Sequence, residues 1–170
     1  DGVKGLKVEV VICPPFIYLE QLKGLPLGGQ NIFFDDKPFT GGVSAAMLKE
    51  MGVEYVILGH SEVRRYLKET DEIINKKIKK ALETGLKVIF CVGETPEERD
   101  AGRTEEVLEG QIKIGLQGIE NLQDINIAYE PVWAIGTGNN CGIEETKKST
   151  NFIRKLVKPE TRILYGGSVN

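Results

Sequence analysis

Short apolar runs alternate with amphipathic stretches along the whole of this 170-residue chain. The apolar runs are rich in valine, isoleucine and aromatic residues, which is typical of strands buried on both faces of a parallel sheet. They predict strands at residues 8–13, 27–34, 55–59, 87–92, 125–129 and 162–165. This alternation of six strands with helical stretches predicts an α/β fold built from βα units.

The stretches between these runs carry the start and stop signals of helices. Thr70 precedes apolar residues at helical spacing, which predicts a helix at 71–84. The segment Thr95-Pro96-Glu97-Glu98 has the form of a capping box with proline at the first helical position, so a short helix is predicted directly after the fourth strand. Two further helices are predicted, from Thr104 onward and at 144–157.

Composition and charge restrict the classes of function. With 41% hydrophobic and 28% charged residues and no linker, residues 1–170 are predicted to form a single domain. The net charge of -3 offers no basic surface for nucleic acid. No apolar stretch could span a membrane and the start is unlike a signal peptide, so a cytoplasmic protein with no membrane partner is expected. Cys13, Cys91 and Cys141 are widely spaced and predict free thiols, and without CxxC or HxxxH spacing no metal is expected.

Two of the apolar runs end at residues suited to acid-base chemistry. The run at 55–59 is followed by His60, the only histidine in the chain, and the run at 125–129 is followed by Glu130. Because the carboxyl ends of parallel barrel strands meet at one mouth, the two side chains are predicted to face each other there. Apolar neighbours would favour proton uptake by Glu130, and a helix starting at Ser61 would favour a neutral imidazole that can donate to a developing oxyanion.

Each of these features also has a plain structural interpretation. A glutamate at a strand end often caps a neighbouring loop, and a single histidine often bridges core and surface. The glycine-containing segment 131–138, directly after Glu130, has the composition of a hinged flap and favours the catalytic interpretation. A second glycine loop lies at 165–169. Backbone N–H groups of two such loops can bind a phosphate, although a tight turn explains either loop alone.

From residue 8 to its end, the chain resembles the triosephosphate isomerase family. The matching segments are Cys13-Pro14-Pro15-Phe16, Gly29-Gln30-Asn31, Phe39-Thr40-Gly41, Gly59-His60-Ser61-Glu62, Cys91-Val92-Gly93-Glu94, Ala128-Tyr129-Glu130-Pro131-Val132-Trp133-Ala134-Ile135-Gly136-Thr137-Gly138 and Tyr165-Gly166-Gly167-Ser168-Val169. The resemblance implies a TIM (β/α)8-type barrel and an intramolecular aldose-ketose isomerase of glycolysis and gluconeogenesis. It also implies that no cofactor is used and that the protein is a homodimer.

The same resemblance implies the catalytic roles. Glu130 is expected to move a proton between C1 and C2 of dihydroxyacetone phosphate and D-glyceraldehyde 3-phosphate, while neutral His60 polarises the carbonyl. Gly136 and Ser168 are expected to bind the phosphate through their backbones. The lid is expected to consist of Pro131, Val132, Trp133, Ala134, Ile135, Gly136, Thr137 and Gly138.

Supporting roles follow from the resemblance as well. Glu62 is expected in an acidic network beneath His60. Cys91 is expected to pack near the base, with a structural role favoured over a chemical one because buried thiols are usually inert. The loop projecting into a second subunit is expected to include Phe39, Thr40 and Gly41.

The chain departs from the family pattern in several places. The family barrel has eight strands, and this chain supplies the second through the seventh, so an incomplete barrel or a fragment is expected. The family places an essential lysine in an Asn-x-Lys pattern at the end of its first strand, but the only such pattern here, Asn75-Lys76-Lys77, lies inside a predicted helix. The last Gly-Gly phosphate loop is also missing. The edges at 8–13 and 163–166 would then be apolar and unpaired, which invites association.

Two further departures concern assembly. Gly42 stands where the family usually has an acidic residue, and Val63 stands where it usually has the first of two arginines. The loop before Gly42 is also one residue short. Function therefore stays open between an active isomerase and a catalytically silent or split-barrel fragment, which would need a partner chain to supply the lysine and the last phosphate loop. A barrel enzyme acting on another sugar phosphate is a third interpretation.

Overall fold

Five parallel strands form one sheet at the centre of the fold. The computed structural model describes residues 7–135 and 141–167. Its strands are β1 (Gly28–Gly29), β2 (Tyr55–Leu58), β3 (Lys87–Val92), β4 (Ile125–Tyr129) and β5 (Ile163–Tyr165). They lie side by side in chain order, and each neighbouring pair is parallel. The predicted α/β architecture is confirmed, and within the described ranges the sheet stays open, because β5 does not pair with β1.

Helices connect the strands and cover the sheet. They are α1 (Ala45–Glu50), α2 (Ser61–Tyr66), α3 (Asp71–Glu83), α4 (Pro96–Asp100), α5 (Thr104–Gly115) and α6 (Ile143–Leu156). The predicted helix after Thr70 is confirmed to within one residue, and the predicted capping box before α4 is present. Helix α1 was not predicted. It begins after Ser44, whose hydroxyl accepts the Met47 N–H at 3.2 Å.

No helix in residues 7–135 or 141–167 combines the length and apolar character needed to cross a bilayer.

The prediction of six strands is wrong for the described residues. The segment 8–13 contributes a single bridge between Ile12 and Leu27. At this bridge Ile12 donates to the carbonyl of Pro26 at 2.9 Å and accepts from the N–H of Gly28 at 2.9 Å. Pro26 has no backbone N–H and therefore cannot donate a hydrogen bond to the segment 8–13, so the ladder does not extend. The edge expected to be a long strand is therefore a short contact.

The second predicted strand, at 27–34, is also shorter than expected. Only Gly28–Gly29 pairs with β2, and the chain then turns at Asn31, whose side-chain oxygen accepts the Ile32 N–H at 2.9 Å. The connection that enters this strand contains two 3-10 turns, Phe16–Tyr18 and Glu20–Leu22, in place of an α-helix. Such turns cover little of the sheet, and Ile17 is left 77% exposed.

Buried side chains from strands and helices form one apolar cluster. Its fully buried members include Val56, Leu58, Ile74, Ile78, Val88, Phe90, Leu108 and Ile127. Burial of a side chain of this size stabilises the fold by about 1.5–3 kcal/mol. Helices α3 and α5 pack against β2 and β3, and these contacts hold the strands whose carboxyl ends form the edge of the site.

The sheet is curled so that its two outer edges approach each other. Glu9, in the segment before the first bridge, accepts a hydrogen bond at 2.9 Å from the guanidinium of Arg162, directly before β5. These residues lie near opposite edges of the sheet, and two side chains are enough to join them. This curvature turns the carboxyl ends of the strands toward a common mouth, where barrels carry their functional groups.

Candidate active site

The carboxyl ends of β2 and β4 place His60 and Glu130 in direct contact. His60 Nε2 lies 3.1 Å from Glu130 Oε1. Glu130 is 5% exposed, while the His60 side chain is 33% exposed. The two groups predicted from the sequence to face each other are therefore brought together, with the carboxylate inside and the imidazole at the surface of the mouth.

The surroundings of His60 define which ring nitrogen carries the proton. His60 precedes α2, and its Nδ1 accepts the backbone N–H of Glu62 at 3.3 Å. A neutral imidazole that accepts at Nδ1 carries its proton at Nε2, the nitrogen that faces Glu130. The arrangement fits a neutral histidine that presents an N–H donor to the mouth.

Both oxygens of the Glu130 carboxylate are occupied. Oε1 faces His60, and Oε2 accepts the backbone N–H of Ser61 at 3.0 Å. Ser61 is the first residue of α2, so the carboxylate lies against the end of a helix whose N–H groups are free to donate. Each carboxylate oxygen keeps a second acceptor site, so the group can also approach another proton.

Two glycines, Gly93 and Gly166, pack closely against Glu130. A methyl group on Gly93 would lie 1.7 Å from the carbonyl oxygen of Glu130, and one on Gly166 would lie 2.9 Å from its Cγ. Gly166 also donates its N–H to the carbonyl of Tyr129 at 2.7 Å. Only glycine permits these approaches, so the ends of β3 and β5 fix the position of the carboxylate. Gly93 belongs to the segment Cys91-Val92-Gly93-Glu94, but no local signal in the sequence predicts its contact with Glu130.

Arg64 of α2 holds the strand ends beneath His60. Its Nε donates to the carbonyl of Gly59 at 2.7 Å, and its Nη2 donates to the carbonyl of Cys91 at 3.3 Å. Its remaining nitrogen, Nη1, pairs with Asp71 at 2.6 Å. A planar guanidinium can make all three contacts at once, which a lysine cannot. The sequence did not indicate this role, because one of the partners, Cys91, lies 27 residues away on β3.

A buried carboxylate supports the segment that follows Glu130. Glu94 is 2% exposed, and its Oε1 accepts from the Tyr129 hydroxyl at 3.1 Å and from Trp133 Nε1 at 2.9 Å. Its Oε2 is buried without a hydrogen-bond partner in the described ranges. The Arg99 guanidinium lies 3.8 Å from the centre of the Trp133 ring. Glu94 and Arg99 thus hold Trp133 from two sides.

Burial raises the pKa of Glu94 above its ordinary value near 4.5, against the opposing hydrogen bonds from its own backbone N–H, Trp133 and Tyr129. A carboxyl group with a raised pKa in the folded protein contributes stability below its unfolded pKa, and that contribution is lost as the pH rises through the folded value. We therefore expect Glu94→Gln, which keeps the accepting oxygen but cannot ionise, to gain stability relative to the wild type as the pH rises above the ordinary pKa of a glutamate carboxyl group. Denaturant titrations below and above this pKa measure the difference.

The matched control for this substitution is Glu144→Gln, because the Glu144 side chain is 87% exposed and pairs with Lys147 at the surface. Its stability difference from the wild type should stay small at every pH, since exposed ion pairs contribute little. If the stability of Glu94→Gln relative to the wild type changes with pH as little as that of the control, the buried carboxyl group does not titrate as argued.

Cys91 lies against the Glu130 side chain. It is 3% exposed, and burial, followed by the nearby Glu130 carboxylate, raises the pKa of its thiol well above the usual value. A thiol that stays protonated is a poor nucleophile. The geometry therefore favours packing over chemistry for Cys91.

The acidic network expected around Glu62 is not seen among the described residues. The Glu62 side chain is 74% exposed, and its closest approach to the histidine is 3.9 Å, between Oε2 and Nδ1. Glu62 supports His60 through its backbone N–H instead. Helix α2 directs this side chain to solvent, and the sequence did not indicate that orientation.

The predicted lid and phosphate residues are only partly described. Pro131 is followed by a 3-10 turn at Val132–Ala134, and Ile135 is 37% exposed. Gly136, Thr137, Gly138 and Ser168 lie outside the described residues.

The only Asn-x-Lys pattern lies in α3, as expected, and its side chains are engaged elsewhere. Asn75 donates to the carbonyls of Gly115 and Gln117 at 2.8 and 3.0 Å. The ammonium of Lys77 pairs with Glu69 and contacts Asn31 Oδ1 at 2.9 Å. Lys77 therefore stabilises the packing of α3 and does not reach Glu130.

The predicted inter-subunit loop is exposed at its tip. Phe39 is 57% exposed and stacks on Phe33 with ring centres 4.2 Å apart. Thr40 and Gly41 follow on the surface. A methyl group on Gly42 would lie 2.6 Å from the Phe39 ring, so the absence of a side chain at this position makes room for the stack.

The geometry suits the transfer of protons at carbon. A buried carboxylate beside a neutral imidazole can take a proton from carbon while the imidazole donates to the oxygen that becomes charged. Among the described residues, no group of three or more histidine, cysteine, aspartate or glutamate side chains is placed to hold a metal ion. The residues in hand therefore offer acid-base chemistry.

Comparisons with known proteins identify the family. Residues 2–170 match the family model described as Triosephosphate isomerase. The chain is similar to the triosephosphate isomerase of Alkaliphilus metalliredigens, with 47% identity over 186 residues that cover 99% of this chain and 75% of the relative. For that of Carboxydothermus hydrogenoformans the identity is 50% over 187 residues, covering 99% and 74%. These aligned lengths exceed the 170 residues of this chain, so the relatives carry residues inside the matched region that this chain lacks.

Proposed function

The chain belongs to the triosephosphate isomerase family, and we propose that it interconverts dihydroxyacetone phosphate and D-glyceraldehyde 3-phosphate by proton transfer through an enediolate. The observation that carries this proposal is the 3.1 Å separation of His60 Nε2 and Glu130 Oε1 at the mouth of the sheet. Triosephosphate isomerase is itself a standard example of a glutamate base paired with a neutral histidine, so the two roles are transferred from the family.

In the proposed reaction Glu130 is the base. Its carboxylate releases the Ser61 N–H, takes a proton from C1 of the ketose and leaves an enediolate. His60 donates from Nε2 to the carbonyl oxygen as negative charge develops there, which the bond from Glu62 N–H to Nδ1 permits. A proton passes from O1 to O2 by way of His60, and Glu130 returns its proton to C2, so that C1 becomes the aldehyde of the aldose. No cofactor takes part.

Substrate binding in this proposal uses the glycine loops after β4 and β5. Gly136 and Ser168 would bind the phosphate through their backbones, and residues 131–138 would close over the substrate and exclude water. The support from the described residues is that Trp133, in the first part of this segment, is held by Glu94 and Arg99. Cys91 would pack beneath the base, and Glu62 would act through its backbone.

We also propose that the protein is a cytoplasmic homodimer. The loop containing Phe39, Thr40 and Gly41 would project into the second copy. Its support is the exposure of apolar side chains on the same surface, with Phe39 at 57% and Met47 at 54%. Gly42 and Val63 carry no charge, so an ion pair between these two positions would not contribute to the association.

The direct test is an assay of the purified chain with each triose phosphate in turn. Turnover within the ordinary enzyme range of roughly 1–1,000 per second is expected. In D2O the product should carry deuterium at the carbon that receives the proton, because a glutamate base exchanges its proton with solvent. Ribulose and fructose phosphates serve as controls and should not be converted. Absence of turnover and of deuterium incorporation would contradict the proposal.

One observation favours the alternative of a split barrel. The described sheet has five strands and stays open, and the only Asn-x-Lys lysine is buried against Glu69. In this alternative a second polypeptide supplies a strand with its lysine and the last phosphate loop. Activity that appears only after a peptide bearing that strand is added would support the alternative over the chain alone.

A further inference from the structure

Gln111 is bonded to a single residue at the end of β3 through both ends of its side-chain amide. Its Oε1 accepts the N–H of Gly93 at 2.8 Å, and its Nε2 donates to the carbonyl of Gly93 at 3.1 Å. Gly93 directly follows Val92, the last paired residue of β3. The side-chain amide of Gln111 thus makes with Gly93 the two backbone hydrogen bonds that a neighbouring strand would make within the sheet.

Gly93 passes this constraint to the proposed base. The N–H of Glu130 donates to the carbonyl of Val92 at 2.8 Å, so the two strand ends are joined one residue before Gly93. The Cα of Gly93 then lies against the backbone of Glu130, so closely that a methyl group there would be 1.7 Å from the Glu130 carbonyl oxygen. A shift of Gly93 must therefore move Glu130.

Gly93 is also bonded directly to the residue that holds Trp133 in the proposed lid segment. Glu94 follows Gly93 directly, and its carboxylate holds Tyr129 and Trp133 on either side of the base. If Gly93 rotated to find other hydrogen-bond partners, Glu94 would rotate with it. The helix that carries Gln111, α5, is packed on the sheet through fully buried Leu108, so it offers a rigid anchor.

We propose that Gln111 is a positioning residue for the isomerase reaction, holding Gly93 so that the Glu130 carboxylate meets the substrate carbon at the right distance. The inference rests on the proposed function. A glutamine that merely satisfied a buried peptide group would affect stability alone. A positioning glutamine must also change the chemical step, because a displacement of about 1 Å at the base can cost on the order of 100-fold in rate.

The main test is Gln111→Leu, which keeps much of the volume and removes both hydrogen bonds. The expected result is a fall in kcat of about 10- to 100-fold with KM changed by less than about threefold, because contacts to the phosphate are left in place. The matched control is Gln117→Leu at the end of α5. Gln117 is exposed, and its backbone carbonyl, rather than its side chain, contacts Asn75. This control should keep the wild-type kcat.

A second variant, Gln111→Glu, separates positioning from folding. A protonated carboxyl group again offers one donor and one acceptor to Gly93, whereas the ionised form offers acceptors only. The ratio of kcat in this variant to kcat in the wild type should therefore rise as the pH falls, and taking the ratio removes any pH dependence that the two proteins share. The variant keeps the shape of the side chain, so it carries the test if Gln111→Leu does not fold.

The outcomes distinguish this inference from the proposed function. If the wild type converts no triose phosphate, the proposed function fails. The positioning role is then tested separately by NMR, through the resonance of the Glu130 carboxyl carbon in Gln111→Leu. A resonance displaced from the wild type supports the role, and an unchanged one overturns it. If the wild type is active, a Gln111→Leu variant that loses thermal stability but keeps the kcat of the Gln117→Leu control overturns the inference.

Discussion

Replacing Glu130 by glutamine is expected to lower kcat by about 100- to 10,000-fold, the range for loss of a positioned general base. Glutamine keeps an oxygen that can accept the Ser61 N–H at the position of Oε2, and it removes a charge from a site that is 5% exposed. Its NH2 group faces His60 Nε2 in place of Oε1, so one favourable contact is lost while a buried charge is removed. The melting temperature should therefore stay near that of the wild type. Steady-state kinetics together with a thermal melt separate the loss of chemistry from loss of fold.

The shorter variant Glu130→Asp provides a graded comparison. It keeps the carboxylate but withdraws it by one methylene, which should cost about 100-fold in kcat with a much smaller change in KM. Glu144→Gln is the surface control and should behave as the wild type, because its side chain is 87% exposed. Equal effects of Glu130→Asp on kcat and KM would mean that Glu130 binds substrate without acting as the base.

The substitution Gly93→Ala is expected to damage both fold and reaction. Its methyl group would lie 1.7 Å from the Glu130 carbonyl oxygen, a distance that backbone atoms cannot tolerate, so the ends of β3 and β4 must separate. Overpacking of this kind costs about 1–3 kcal/mol and occasionally more. The accompanying displacement of Glu130 should lower kcat on the order of 100-fold. Urea unfolding and steady-state kinetics measure the two effects.

A matched control is available on α5. A methyl group on Gly110 meets no atom within 4 Å. Gly110→Ala should therefore stabilise the protein by about 0.5–1 kcal/mol through helix propensity and leave kcat unchanged. A Gly93→Ala variant with wild-type kcat would show that the contact between Gly93 and Glu130 does not position the base.

Local signals in the sequence predicted much of the fold correctly. The capping box at Thr95 and the helical spacing after Thr70 each involve neighbours a few residues apart, so they could be read without knowing the fold. The same holds for β3 and β4, whose apolar runs match the observed bounds. Placing His60 and Glu130 at the ends of two such strands was enough to predict their meeting, because parallel strands end at one edge.

Other features depended on partners far along the chain. The segment 8–13 reads as a strand, but pairing requires a neighbour with free N–H groups, and Pro26 does not offer one. Gln111 lies 18 residues from Gly93, and nothing in its sequence context marks it as a partner of the strand end. The outward direction of Glu62 likewise follows from the placement of α2.

By itself the sequence determined the α/β architecture, the caps at Thr70 and Thr95, and the placement of His60 and Glu130 at the ends of two strands of the site, since each depends on local periodicity or on a strand end. The tertiary structure alone decided which apolar runs pair with a neighbouring strand, which glycines pack closely against Glu130, and which polar side chains hold the strand ends. The physical reason is that hydrogen-bond pairing and close packing are set by groups brought together from distant parts of the chain, and their distances exist only once the sheet has formed.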